Sequence, residues 1–298
     1  MAIRGSDDKE TGPFGLDVSP KGLQPRVVFA LLLVGSAAGI WLSRWGEAFV
    51  ARGFWWLLVV ALGSLGGGLY WRLVLFDASD FEHDDTTRAV SEQWRRVEAF
   101  AVLALLLGGV GSVATGVMAR PLDPGEVAVG FGVALSTFLW VGLDRYSGDE
   151  RRQTATYVRW LFFAVVLGSL AGFVWTETSG RPLEWVVRAG HVGSFALWIG
   201  GASWHNFVVL PTLRARPDAA DEIKAGARRF RRHLPVVIAV FLATGVYQAV
   251  RLLGYSVSAL FGTPVGRFVA VKFAILAMLT GLVVVNFVKA RKADDPDG

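Results

Sequence analysis

Hydrophobic residues along this chain come in eight long runs, each set off from the next by a polar stretch. The runs lie near residues 27–43, 54–76, 97–118, 126–143, 159–176, 188–210, 234–252 and 268–288. A hydrocarbon core of about 30 Å takes roughly 20 apolar residues in helical form, so each run is of spanning length. Lipid offers no partner to a backbone amide or carbonyl, so each run must close its own hydrogen bonds as a helix. The short alternating segments of a membrane barrel are missing. The predicted fold class is therefore all-α, a polytopic membrane helix bundle with about eight transmembrane helices. The first run follows a polar leader and precedes another span, so it reads as a retained helix rather than a signal cleaved near Ala37 and Ala38.

Composition agrees with the pattern: hydrophobic residues make up 53% of the 298 and the mean hydropathy is +0.45. The formal net charge of +5 raises the question of nucleic acid, and the distribution of cations answers it. Of the 30 Lys and Arg, 21 fall in the N-terminal segment, the alternate loops and the C-terminal tail; the sixth loop alone runs from Arg214 to Arg232. The opposite side holds Arg44, Arg52, Arg120, Arg181, Arg188, Arg251 and Arg267. This bias predicts a multi-pass protein of the cytoplasmic membrane with both termini and the Pro211–His233 loop in the cytoplasm. Attraction to anionic lipid accounts for the basic loops, so the expected partner is the bilayer and no nucleic acid is needed. Many of the 12 Trp, including Trp41, Trp45, Trp55, Trp71, Trp175 and Trp204, fall where helices should meet an interface, as aromatic belts do. There is no cysteine, which removes disulfides, thiolate metal sites and covalently attached haem.

The two halves echo each other. Gly35, Ser36 and Gly39 match Gly168, Ser169 and Gly172 at an offset of 133, and Gly67, Gly68 and Trp71 match Gly200, Gly201 and Trp204 at the same offset. Arg95-Arg96 and Gly109-Val110 match Arg231-Arg232 and Gly245-Val246 at 136. Four helices per unit would give the copies the same orientation, a parallel 4+4 repeat. The expected organisation is a cytoplasmic segment over 1–26, a first four-helix unit over 27–150, a second over 151–292 and a polar tail over 293–298. At this register His191 corresponds to Leu58, His205 to Arg72 and His233 to Val97, so the histidines that could do chemistry belong to the second half.

No phosphate-cradling loop, HExxH or Ser/His/Asp set is present, and no enzymatic activity is expected. The chemistry-bearing segment is the sixth helix. His191 and His205 are 14 residues apart, which returns them to within about 40° on one helix face at a separation of about 21 Å. Ionisable groups inside a membrane tend to be functional. One reading is a haem b electron-transfer subunit with an inner haem between His205 and His233; another is a structural subunit of a larger complex, with the histidines as packing or interfacial groups. Gly200 and Gly201 suit close helix packing. Lys272 either snorkels to headgroups or turns inward to a carboxylate such as Glu126, Glu177 or Glu184.

The second half carries His191, Leu197-Trp-Ile-Gly-Gly201, Arg229-Phe230, Thr244-Gly245, the run from Thr263 to Lys272, and Asn286. In this order and spacing, over about residues 186–292, it resembles the membrane domain of the copper resistance D (CopD) family. That resemblance implies a protein of about eight helices in the inner membrane that moves copper ions across it, with an extracytoplasmic copper-binding protein as partner. It implies His191 as the outer metal-contacting residue; His205 and His233 are the further metal candidates among the histidines, and Trp198, Gly200, Gly201, Lys272 and Asn286 are expected along the path or in its packing. A homo-oligomer or a larger complex is compatible with it. Cu(I) prefers soft sulfur ligands, yet there are only Met1, Met118 and Met278. A single imidazole fits a transient transport contact better than a stored ion.

Overall fold

The computed structural model describes residues 20–76, 84–119, 121–145, 152–178 and 181–294. His83 and the domain boundary expected at residue 150 lie outside them. Within the described residues the chain forms α1 (Pro20–Ser43), α2 (Phe49–Tyr70), α3 (Asp84–Ala119), α4 (Pro124–Arg145), α5 (Arg152–Thr178), α6 (Pro182–Trp204), the short α7 (Leu210–Ala215), α8 (Ala220–Leu253), the short α9 (Val257–Gly262) and α10 (Pro264–Asp294), with no strand. The architecture is an all-α bundle. Its starts follow local chemistry. Proline, whose missing N–H costs nothing in a first turn, opens α4, α6 and α10. At α4 the Asp123 and Glu126 side chains accept each other's backbone N–H at 3.0 and 3.1 Å, a reciprocal cap. Helix α8 ends on Gly254, whose φ of +66° suits only a residue without a Cβ.

Seven of these helices carry stretches long and apolar enough to cross a bilayer, as a multi-pass membrane protein requires. Helix α6, the remaining candidate, has the length at 23 residues but a more polar composition. Its position explains this. It packs against α1, α2, α5 and α8 at the middle of the bundle, and Ser194 to Trp204 is buried but for Leu197, so its surroundings are mostly protein rather than lipid. A central helix can hold Arg188, His191 and a run of glycines that a lipid-facing one could not.

Two expectations are corrected. The Pro211–His233 segment is not a loop: α7, a 3₁₀ turn at Pro217–Ala219 and the first four turns of α8 occupy it, and α8 continues through Pro235. Nor do all the Trp form belts. Trp45 and Trp175 are exposed, but Trp55, Trp71 and Trp204 are core residues. Trp71 and Trp204 stack on each other with ring centroids 5.8 Å apart and planes 16° from parallel.

That stack stands one turn past the crossing of α2 and α6. Helices α2 and α6 cross with Gly67 against Gly200, so closely that a Cβ on Gly67 would lie 2.1 Å from the Ala196 carbonyl oxygen and 2.8 Å from the Gly200 Cα. The next glycine of each pair receives an aromatic ring from the following helix. Trp94 of α3 fills the space at Gly68, and Phe230 of α8 that at Gly201. Each helix then runs into one π-helical turn, Trp71–Leu75 and His205–Val209. The neighbours correspond as well: α2 on α3 as α6 on α8, α5 on α4 as α1 on α10, and α2 on α5 as α6 on α1.

Candidate functional site

A cavity of about 490 Å³ opens among α1, α5, α6, α8 and α10. It runs along α1 from Leu31 to Ser43, about 18 Å of helix, and reaches the end of the bundle opposite the described chain ends at Arg181, Glu184 and Arg251. The lower half is apolar, walled by Leu31, Leu32, Ile275, Leu276 and Leu279. The upper half is polar and carries Ser43, Glu177, Arg188, His191, Gln248 and Lys272.

Glu177 organises the upper half. Its side chain is 4% exposed, and both carboxylate oxygens are taken. Oε1 accepts from Ser43 Oγ at 2.8 Å and lies 3.5 Å from Arg44 Nε; Oε2 pairs with Arg188 Nη2. Arg188 also donates through Nη1 to Gln248 at 2.6 Å. Arg44 donates to Thr176 and Glu47, both at 2.8 Å, and lays its guanidinium over the Trp55 ring at 3.9 Å. Two guanidiniums thus share one buried carboxylate, and Arg44 takes Glu47 as its second partner. At the rim Glu184 is held in the same way by Arg181 at 2.6 Å and Arg251 at 3.1 Å.

His191 lies nine residues past Pro182, about 14 Å along α6, so it is deeper in the helix than a position one turn from its end. Its ring stacks on Phe241 with centroids 4.3 Å apart and planes 11° from parallel. Its Nδ1 is 3.2 Å from Thr244 Oγ1. The Thr244 hydroxyl has one proton and gives it to the Val240 carbonyl at 2.6 Å. The hydrogen bond therefore runs from His191 Nδ1–H to Thr244, and Nε2 keeps its lone pair. Gly245 makes room for the ring, since a Cβ there would meet His191 Cε1 at 3.4 Å.

Lys272 turns inward. Its Nζ approaches α1 at Gly39, 3.2 Å from where a Cβ would stand, and borders the cavity. None of the carboxylates expected for it is an ion-pair partner: Glu177 and Glu184 are engaged by arginines, and Glu126 caps α4. Trp198 is set behind the site, its ring edge-on to the same Phe241 at 6.0 Å. Gly200 and Gly201 belong to the α2–α6 crossing instead of the cavity wall. Asn286 falls on α10 among residues whose side chains are outside the description.

The other two metal candidates are elsewhere. His205 begins the π-helical turn, 14 residues or about 21 Å along the helix from His191, so one ion cannot touch both. His233 packs edge-on to Tyr70 at 6.1 Å and is exposed. Among the described residues no group of three or more His, Asp and Glu gathers in a metal-holding arrangement, and neither His205 nor His233 borders the cavity that holds His191. Sequence reasoning found His191 and Lys272 and named Glu177 only as a candidate partner of Lys272; it did not place Thr244 and Phe241 around His191, or Arg188 and Gln248 beside Glu177. The inward polarity of α6 and the Arg44/Glu177 pairing at the 133-residue offset were the available signals. No family model, curated protein or solved structure matches this chain.

Proposed function

We propose that the chain is a transport protein of the copper resistance D type in the cytoplasmic membrane, and that copper passes through this cavity by exchanging onto His191. The observation that carries this reading is the contact of His191 Nδ1 with Thr244 Oγ1 at 3.2 Å: with the Thr244 proton given to Val240, Nδ1 is the donor, which orients the ring and leaves the Nε2 lone pair of the neutral imidazole for a ligand. Fixing a metal-binding imidazole through its second nitrogen is how proteins prepare it. One imidazole holds a first-row ion loosely, which suits release and disfavours storage. Arg188 and Lys272 repel a bare cation, so copper would come accompanied by its own anionic ligands. The polar mouth at Arg181 and Arg251 would be the loading end, and the positive-inside bias puts it outside the cell, where an extracytoplasmic copper carrier could dock.

The test is His191→Ala in a strain dependent on this protein for its copper phenotype, read as cellular copper content, with membrane insertion followed by a fluorescent tag. Loss of the copper effect with insertion unchanged supports the reading. Unchanged copper content, or a Soret band in the purified native protein, removes it and favours an electron-transfer role.

A further inference from the structure

The cavity is built for more than a metal. Four cations border it, Arg181, Arg188, Arg251 and Lys272, against two carboxylates, Glu177 and Glu184. Each carboxylate is claimed by two arginines. Lys272 is left with no hydrogen bond or ion pair among the described residues, although it stands well inside the bundle on the cavity wall. His191 cannot balance it, because an imidazole donating to Thr244 carries no negative charge. An ammonium on the wall of a cavity inside the bundle, with no counter-charge against it, is unfavourable, so the site calls for an anion.

The shape adds a second requirement. Below Lys272 the wall turns apolar for about two helical turns, through Ile275, Leu276 and Leu279 on α10 and Leu31 and Leu32 on α1. A small inorganic anion would use the upper part and leave this surface bare. We propose that the cavity binds an amphiphile whose anionic oxygen group, a carboxylate or a phosphate, sits on Lys272, with an apolar body extending between α1 and α10. A volume of about 490 Å³ falls in the range of cavities that enclose a whole small molecule. The inference shares its cavity with the copper reading but not its metal.

The experiment uses the full chain in detergent, without copper. Sodium laurate and lauryl alcohol are titrated by calorimetry into the native protein, Lys272→Met, Lys272→Arg and the rim variant Arg251→Met. Native mass spectrometry of the same samples measures retained phosphatidylglycerol and phosphatidylcholine. Saturable laurate binding that weakens about tenfold or more in Lys272→Met, while Lys272→Arg and Arg251→Met stay close to native, supports the inference, because a charge-assisted contact is of that size. Phosphatidylglycerol lost selectively from Lys272→Met supports it with a lipid phosphate as the source. Laurate binding no tighter than the alcohol's overturns it, as do laurate and phosphatidylglycerol binding equal in native protein and Lys272→Met. If Lys272→Met does not fold, the laurate and alcohol comparison on native protein decides. Copper binding lost in His191→Ala while laurate fails would sink this inference alone; the converse would sink only the metal.

Discussion

Leu58 on α2 and His191 on α6 stand at the same 133-residue offset as the matched glycines and tryptophans, and their surroundings differ completely. Leu58 is fully enclosed, with Gly108 of α3 packed so close that a Cβ there would meet the Leu58 backbone nitrogen at 2.5 Å. The positions that correspond around His191 are Thr244 for Gly108, Phe241 for Leu105 and Arg188 for Trp55, and there the helices part to leave the cavity. The α4–α5 contact shows the same contrast. Aligning buried Val129 and Leu139 with buried Val269 and Leu279 puts Gly132 where α10 has Lys272. Gly132 packs directly onto Ser169 of α5, whereas Lys272 spans a gap to Gly39 of α1. Even the Arg44 guanidinium over Trp55 has its counterpart in the Glu177–Arg188 ion pair, cation–π on one side and salt bridge on the other. The first half packs dry among its own helices, while polar residues of the second half, together with α1 of the first, line the cavity.

The largest effect should come from the crossing both halves share. Gly67→Leu drives a side chain into the Ala196 carbonyl and the Gly200 backbone, neither of which can move without separating α2 from α6. We expect no monodisperse protein on size exclusion, a loss beyond about 4 kcal/mol. Gly193, with nothing within 4 Å of its would-be Cβ, is the control: Gly193→Ala should leave the profile unchanged. Normal assembly of Gly67→Leu would show that the halves do not depend on this contact.

Next is Glu177→Gln. It removes the one carboxylate that Arg44 and Arg188 share, leaving two guanidiniums inside the bundle. Breaking a buried pair on one side costs about 3–5 kcal/mol, so a clear fall in melting temperature is expected. Trp55→Leu, which removes a ring packed between Arg44 and Phe173 but leaves every charge paired, should cost less. If the two fall equally, the polar half is no more dependent on its charges than the dry half on its packing.

The all-α class and the spans could be read from the sequence because lipid punishes unpaired backbone, which forces long apolar runs to be helices. The π-helical turns after Trp71 and Trp204 and the burial of both rings could not be read, since a Trp near a helix end looks the same whether it faces headgroups or another Trp. His191 stood out because an imidazole in an apolar helix is rare. Its cavity did not, because that depends on what Thr244, Gly245 and Lys272 do in helices more than 50 residues away. The polarity of α6 was visible as well, but only the packing of four helices around it shows that polarity to be a consequence of its central position.

Exchanging residues between the halves should give an asymmetric result. Leu58→His puts an imidazole in a fully packed place, losing apolar contact and burying an unpaired polar group, for about 3 kcal/mol. His191→Leu gives up one hydrogen bond but replaces it with apolar packing beside an existing cavity, for about 1 kcal/mol or less. Thermal unfolding of the two variants in one detergent measures the difference. Equal losses would mean that the second half is as tightly packed as the first, and that the cavity closes in the membrane.

The smallest effect is the most specific. Thr244→Val keeps the shape of a residue whose counterpart in the dry half is Gly108 and removes the acceptor for His191 Nδ1–H, for about 1 kcal/mol of stability. Its main consequence should be in the imidazole. In native protein labelled with ¹⁵N at histidine, the His191 signals should show Nδ1 protonated and Nε2 bare. In Thr244→Val the other tautomer should become visible, because the hydroxyl that selected between them is gone, and copper exchange at His191 should slow in proportion. A native spectrum with the proton on Nε2 would close the lone pair that the transport reading depends on, while leaving the anion site at Lys272 untouched.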